Sequence, residues 1–174
     1  MITIISGTNR PRSNARIISN IYASLLAQRN VPNQILDLLD LPPDFVFSAL
    51  YHNAGKNEQY NELNKLIETT DKFVFIVPEY NGSFPGVLKA FIDGLSYPGS
   101  FKNKKAALVG ISTGSQGGAL ALSHLTDVLH YMGMHVLAAK PRLNYISKSL
   151  HNGELTNSLY ENLLLEQIDS FITF

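Results

Sequence analysis

The chain predicts an α/β domain built on a doubly wound parallel sheet, and three observations carry that expectation. Three short runs, ITIIS from Ile2, KFVFIVP from Lys72 and KKAALVGIS from Lys104, are rich in Ile, Val and Phe and apolar on both alternating faces. A strand that is buried between two helix layers has this pattern, because both of its faces meet core. Between the runs lie apolar stripes at helical spacing, and strand and helix patterns alternate five times along the chain.

Each element follows in order. The first run passes through a polar stretch into a helix that carries Ile17, Ile18, Ile21 and Leu25 on one face. QILDL, from Gln34, reads as a weaker second strand. The segment from Leu41 to Asn57 is the least regular part, expected to be a surface excursion or part of a subunit contact. A short helix is expected from Tyr60 to Thr69. After the second strong strand, Phe84, Val87, Leu88, Phe91, Ile92 and Leu95 recur at i, i+3, i+4 and i+7, and after the third so do Ala121, Leu125, Val128, Leu129 and Met132. HVLAA, from His135, is the fifth strand, and a last helix is expected from Leu155 to about Phe171. No repeat or linker divides the chain, so residues 1–174 read as one domain.

Composition narrows the function. Fourteen basic residues balance fourteen acidic ones, with no long basic run, which argues against a general nucleic-acid binder. The chain has no cysteine, so disulfides, thiolate nucleophiles and cysteine metal sites are excluded together. The five histidines show no familiar ligand spacing, and no metal site is expected. The apolar runs are strand-sized, far short of the roughly 20 residues of a membrane span. The first of them makes a poor signal peptide, and a cytoplasmic location is expected.

In an open parallel sheet, ligands bind beyond the carboxyl ends of the strands. Three loops belong there: SGTNRPRSN, PEYNGSFPG and STGSQGG. In the first, Thr8, Ser13 and Asn14 can donate to phosphate oxygens, Arg10 offers a planar fork of donors, and the helix start adds free amides. Helix capping by Ser13 or Asn14 with solvated arginines accounts for the same residues. The loop lacks G-x-x-x-x-G-K-[ST] and G-x-G-x-x-G, so neither a triphosphate loop nor the usual dinucleotide fingerprint is present. In the second, a turn explains EYNG but leaves Tyr80 and Asn81 where a planar ligand could be stacked and its edge bonded. Glu79 reads as an exposed or structural carboxylate. In the third, GISTG matches a nucleophile elbow at Ser112, with His135 or His151 and Asp127 downstream in hydrolase order. Against a hydrolase, the loop continues through GSQGG instead of turning at once into a helix.

Taken together, the three loops resemble the NAD(P)H-dependent FMN reductase family of flavodoxin-like proteins, which includes quinone, azo and chromate reductases. The similarity covers about residues 2 to 139. PEYNGSFPGVLKAFIDGLS is close to the family's P-E-Y-N-[GY]-S-x-P-G-x-L-K-N-x-I-D-W-x-S, GTNRPRSN resembles its G-S-x-R-x-x-S loop, and GSQGGALALSHLTDVLHYMGMHV its Gly-Gly helix start. Five residues depart from the pattern. Gly94 stands where the family commonly has Trp, Thr8 replaces a usual Ser, Asn14 directly follows Ser13, and Leu120 and Leu122 follow the Gly-Gly pair where an Arg is frequent.

The resemblance implies a flavodoxin-like, five-stranded sheet in the order 2-1-3-4-5 with helices on both faces. It implies FMN as cofactor, NADPH or NADH as electron donor, a flavin, quinone or other small molecule as acceptor, and a homodimer or homotetramer. It places Thr8, Arg10, Ser13 and Asn14 on the FMN phosphate, Pro78, Glu79, Tyr80, Asn81 and Gly82 along the isoalloxazine, and Ser112, Gly114 and Ser115 on its other side. No catalytic acid or base is assigned. The alternatives are a flavin-binding electron carrier or sensor without turnover and a serine hydrolase using Ser112.

Overall fold

The computed structural model describes residues 1–96 and 99–174. Its sheet runs β2-β1-β3-β4-β5, from β1 (Ile2–Ser6), β2 (Asn33–Asp37), β3 (Lys72–Pro78), β4 (Lys105–Ile111) and β5 (His135–Val136), every pair parallel. The order is the expected 2-1-3-4-5. Alternate residues of the central strands feed two cores. Phe73, Phe75 and Val77 of β3 face one, with α3 (Glu58–Glu68), α4 (Gly86–Asp93) and α5 (Ala119–Tyr131), while Val74 and Ile76 face the other, with α1 (Asn14–Gln28) and α6 (Ser158–Thr173). Burial on both faces is why these strands read as continuous apolar runs.

The edge differs from the expectation. β5 is two residues long instead of five, and a further two-residue strand, β6 (Arg142–Leu143), returns to pair with β4 at Gly110 and Ile111. Between them the Gln167 side chain of α6 donates to the carbonyls of Leu108 and Ala139, both at 2.9 Å, and accepts from the buried Tyr22 hydroxyl at 3.1 Å. A glutamine thus does for Leu108 what a fifth strand would have done, and the edge ladder stays satisfied.

Two element boundaries also move. The helix after β3 excludes Phe84, because Pro85 disfavours helical backbone in the residue before it. The last helix begins at Ser158, capped by the Asn157 side chain, and not at Leu155. Leu155 belongs to a hairpin of β7 (Leu150–His151) and β8 (Glu154–Leu155), turned by Asn152 and Gly153 with φ of 51° and 84°. The segment from Leu41 to Asn57 carries one α-helical turn, α2 (Phe45–Ser48), and a 3-10 turn at Tyr51–Asn53, and is only half a surface excursion. Leu41, Phe45, Ala49 and Leu50 are buried in the core, while Phe47 and Tyr51 are 82% and 77% exposed.

Gly94 ends α4 because of Tyr60. A Cβ at Gly94 would lie 1.9 Å from the Tyr60 hydroxyl, which donates to the Phe91 carbonyl at 2.9 Å, so the tyrosine fills the space beside the helix end. At the amino edge of the sheet, Lys104 donates to the Ile67 and Glu68 carbonyls at the end of α3, and Lys72 to the Phe171 and Ile172 carbonyls near the end of α6. These cations satisfy helix termini. Among the described residues, no helix is long and apolar enough to cross a membrane.

Candidate functional site

β1 lies between β2 and β3, so the chain leaves it first toward one side of the sheet and later toward the other. The gap between the loops that follow β1 and β3 is the switch point at which open α/β sheets take ligands. A cleft of about 550 Å³ opens there, within the roughly 300–1,000 Å³ typical of small-molecule sites.

The first loop makes one end of the cleft. Ser13 is the N-cap of α1, its Oγ accepting from the Arg16 amide at 3.1 Å, which leaves the hydroxyl hydrogen for another acceptor. Asn14 is the first helical residue, and no acidic side chain stands in the first turn. Arg16 is turned away into an ion pair with the buried Asp37 at 3.0 Å. Arg10 and Arg12 line the cleft, and among the described residues neither side chain forms an ion pair. Free helix amides, two uncommitted guanidinium groups and no nearby carboxylate in the turn favour an anion at this end.

The second loop is pinned to the first. The hydroxyls of buried Thr8 and of Tyr80 are hydrogen-bonded at 2.9 Å across the switch point, and Thr8 Oγ1 also accepts from the Arg10 amide at 3.2 Å. Beyond Tyr80 the chain makes a tight two-residue turn, with Tyr80 and Ser83 exchanging both backbone bonds and Asn81 and Gly82 at φ of 51° and 74°. Only Asn, Asp and Gly take two such positive angles in succession at little cost. The Ser83 hydroxyl is bonded to His124 Nδ1 of α5 at 2.9 Å, which ties the turn to the helix beside it. Glu79 lines the cleft with its carboxylate oxygen Oε2 buried and without a hydrogen-bond partner among the described residues.

The third loop is closed on itself. Ser112 Oγ donates to the Gly114 carbonyl and accepts from the Gly117 amide, both at 2.9 Å. Both bonds serve the loop. His135 pairs with Lys105 at the other end of β4, about 20 Å from the Ser112 end at ~3.3 Å per residue. α5 begins only at Ala119. The elbow reading of Ser112 with His135 is therefore overturned by the fold itself.

Of the residues named from the sequence, Thr8, Arg10, Ser13, Asn14, Pro78, Glu79, Tyr80 and Ser112 line the cleft. Asn81 and Gly82 form the turn tip outside that lining, and the carbonyls of Gly114 and Ser115 are engaged by Tyr145 and Asn144. Sequence reasoning missed Ile146 and Ser147, which form a further wall. They reach the cleft only because β6 returns to β4, and a two-residue strand leaves no periodic signal.

Fold and site together define a flavodoxin-like protein in which a helix start that favours anions opens into a partly apolar slot. The sequence profile of the NADPH-dependent FMN reductase family matches residues 1–143, and the chain belongs to that family. It is 31% identical over 145 residues to a 2-hydroxy-1,4-benzoquinone reductase from a Burkholderia species, an alignment covering 82% of this chain and 76% of that protein. Its fold superposes with a TM-score of 0.81 on FerB, a flavoenzyme NAD(P)H:(acceptor) oxidoreductase from Paracoccus denitrificans, at 27% identity and covering 99% and 94% of the two chains. A flavodoxin from the domain Archaea, 14% identical with a TM-score of 0.63 and 99% of both chains covered, shares the fold. The chain is thus an oxidoreductase that works with FMN and NADH or NADPH.

The residues present fit FMN. The donor set at the start of α1 suits a monoester phosphate, which carries about −1.5 to −2 charge at neutral pH. The orphaned Glu79 oxygen needs a donor, and FMN carries a ring N–H and ribityl hydroxyls.

Proposed function

We propose that the chain passes reducing equivalents from NADH or NADPH to a quinone, a flavin or another small acceptor, with FMN held in the switch-point cleft. The observation that carries this reading is the junction, in one cleft, of an anion-favouring end at α1 with a wall containing Pro78, Tyr80 and Ile111. Bound FMN supplies the redox chemistry, since it accepts a hydride and passes electrons on. Arg10, Ser13, Asn14 and Thr8 would hold its phosphate end. Pro78, Glu79, Tyr80, Asn81 and Gly82 would lie along the ring, with Ser112, Gly114 and Ser115 across from them. The protein's part is to bind, orient and set the local charge, and no side chain is assigned a proton-transfer role.

The named activity of the Burkholderia relative, reduction of a hydroxybenzoquinone, supports a quinone-type acceptor. The test is direct. The purified protein is expected to take up FMN, to show the flavin visible bands, and to oxidise NADH or NADPH steadily when benzoquinone is added. A colourless protein that fails to take up added FMN would sink this reading. We place a homodimer or homotetramer contact on the apolar groove between α4 and α5, which is lined by Ile92, Leu95, Val128 and Met132. Light scattering of the purified protein tests it, a monomer at micromolar concentration being the contrary result. A cytoplasmic location belongs to the same proposal, and cell fractionation checks it.

A further inference from the structure

The walls of the cleft do not all come from the three sheet-edge loops. Residues 144–149 follow β6, and of them Ile146 and Ser147 line the site, Ser147 on the side where α1 begins. Asn14 Nδ2 donates to Ser147 Oγ at 3.4 Å, so Ser147 stands beside the first residue of α1, at the anion-favouring end. In that bond the serine oxygen is the acceptor. Its own hydrogen remains available to donate.

The segment is held more firmly than a surface loop needs to be. The Ser112 amide donates to the Leu143 carbonyl at 3.2 Å, the Tyr145 amide to Gly114 at 3.0 Å and the Ile146 amide to Ser112 at 3.0 Å. Asn144 Nδ2 donates to the Ser115 carbonyl at 3.2 Å, and the Tyr160 hydroxyl of α6 is bonded to the backbone and side-chain oxygens of Asn144. Tyr145 is left with a φ of 46°. An aromatic residue adopts the left-handed region only when its surroundings impose it, and such positions cluster at binding sites. The turn at Tyr145 is what brings Ile146 inward as a buried wall and Ser147 to the mouth.

We infer that Ser147 is a phosphate-binding residue of this chain, its hydroxyl donating to the anion held at the start of α1, with Asn144, Tyr145 and Tyr160 positioning it. The inference rests on the proposed FMN site and adds to it a residue beyond the family match, which ends at Leu143. It also gives the Asn14–Ser147 contact a purpose: the two side chains close the phosphate end from opposite elements.

The experiment is calorimetric titration of the full chain with FMN and, separately, with riboflavin, which lacks the phosphate. Ser147 is exposed, so Ser147→Ala is expected to fold normally, with an apo melting curve that overlays the original. The expected result is an FMN affinity lowered about five- to thirtyfold, as for a partly exposed bond to a charged group, with riboflavin affinity unchanged and Ser147→Thr close to the original. Tyr160→Phe should lower FMN affinity by a smaller factor and again spare riboflavin. If Ser147→Ala leaves FMN affinity unchanged, or lowers FMN and riboflavin equally, the assignment is overturned and the cleft reading stands. If the unmodified protein binds the two ligands equally, the phosphate site itself is refuted and Ser147 falls with it.

Discussion

Replacing Arg10 by Ala should weaken FMN binding by about tenfold to a hundredfold while leaving the protein without ligand as stable as before. The structure supplies both halves of this expectation. Among the described residues the Arg10 side chain makes no ion pair, and its backbone, held by the bond from its amide to Thr8 Oγ1, is retained in the Ala variant. The apo fold therefore loses nothing it was using. With FMN bound, a guanidinium bond to a phosphate is worth about 1.5–3 kcal/mol, and each 1.4 kcal/mol is a factor of ten in affinity. Arg12 is the control. It also lines the cleft, with a φ of 54°, but it falls on a variable position of the family loop whereas Arg10 falls on its arginine. Arg12→Ala is expected to change FMN affinity by less than Arg10→Ala. Flavin fluorescence or calorimetry measures both, and thermal melts without FMN check the fold. Saturated with FMN, the Arg10 variant should still oxidise NADH or NADPH at nearly the original rate, because the phosphate takes no part in the hydride step. A larger loss in Arg12→Ala than in Arg10→Ala, or none in either, would falsify the register assigned to the loop.

Three further outcomes are expected. Ser112→Ala should lower FMN affinity and the melting temperature of the third loop's surroundings modestly, since Ser112 Oγ holds Gly114 and Gly117 together, and a fluorophosphonate should label neither form; labelling of the original protein at Ser112 is the contrary result. Gly94→Ala should cost about 1–3 kcal/mol of stability by overpacking against the Tyr60 hydroxyl, and in a Tyr60→Leu background the same change should cost less; denaturant unfolding of the four proteins gives the coupling, and strict additivity is the contrary result. Gln167→Leu should cost about 3–5 kcal/mol in urea unfolding with FMN affinity unchanged, because two carbonyls and a phenol lose their partner far from the cleft; a loss below about 1 kcal/mol would show that water replaces the glutamine there.

Much of the fold was legible because its central strands are buried on both faces. Ile2 to Ile5, Phe73 to Val77 and Ala106 to Ile111 could be read as strands from composition alone, and the loops that follow them had to share an edge once the strands were parallel. A cap at Ser13 or Asn14, which the structure gives to Ser13, and a turn through Asn81–Gly82 followed from local chemistry. The edge was less legible. HVLAA has strand composition over five residues but pairs over two, because Gln167, thirty residues further on, takes the place of the missing ladder. The Asn152–Gly153 pair is itself a hairpin signal, since Asn-Gly suits a tight two-residue turn, but Leu155 extends the apolar stripe of the last helix toward it and masks the boundary. Ile146 and Ser147 could not be read at all: their place in the cleft depends on the tertiary return of the chain to β4 and on hydrogen bonds from Asn144 and Tyr160, and neither leaves a pattern in the residues themselves.

The same division explains where affinity and chemistry are separated in this site. The anion end is built on α1, whose cap and first turn are fixed by helix formation whether or not a ligand is present. The end proposed for the ring is built on turns whose conformation depends on side-chain contacts between loops, chiefly Thr8 with Tyr80 and Ser83 with His124. A substitution at the first end should therefore change how tightly FMN is held and little else. One at the second should change how the ring is presented to donor and acceptor, and so the rate. Tyr80→Phe separates the two cases. It removes the bond that joins the β1 loop to the β3 loop while keeping the aromatic face, so turnover at saturating FMN should fall even though Arg10, Ser13 and Asn14 of the phosphate end keep their places. If that variant instead lost affinity for FMN and riboflavin alike and kept its turnover, the Thr8–Tyr80 bond would be a binding element, and presentation of the ring would have to be credited to Asn81 and Gly82.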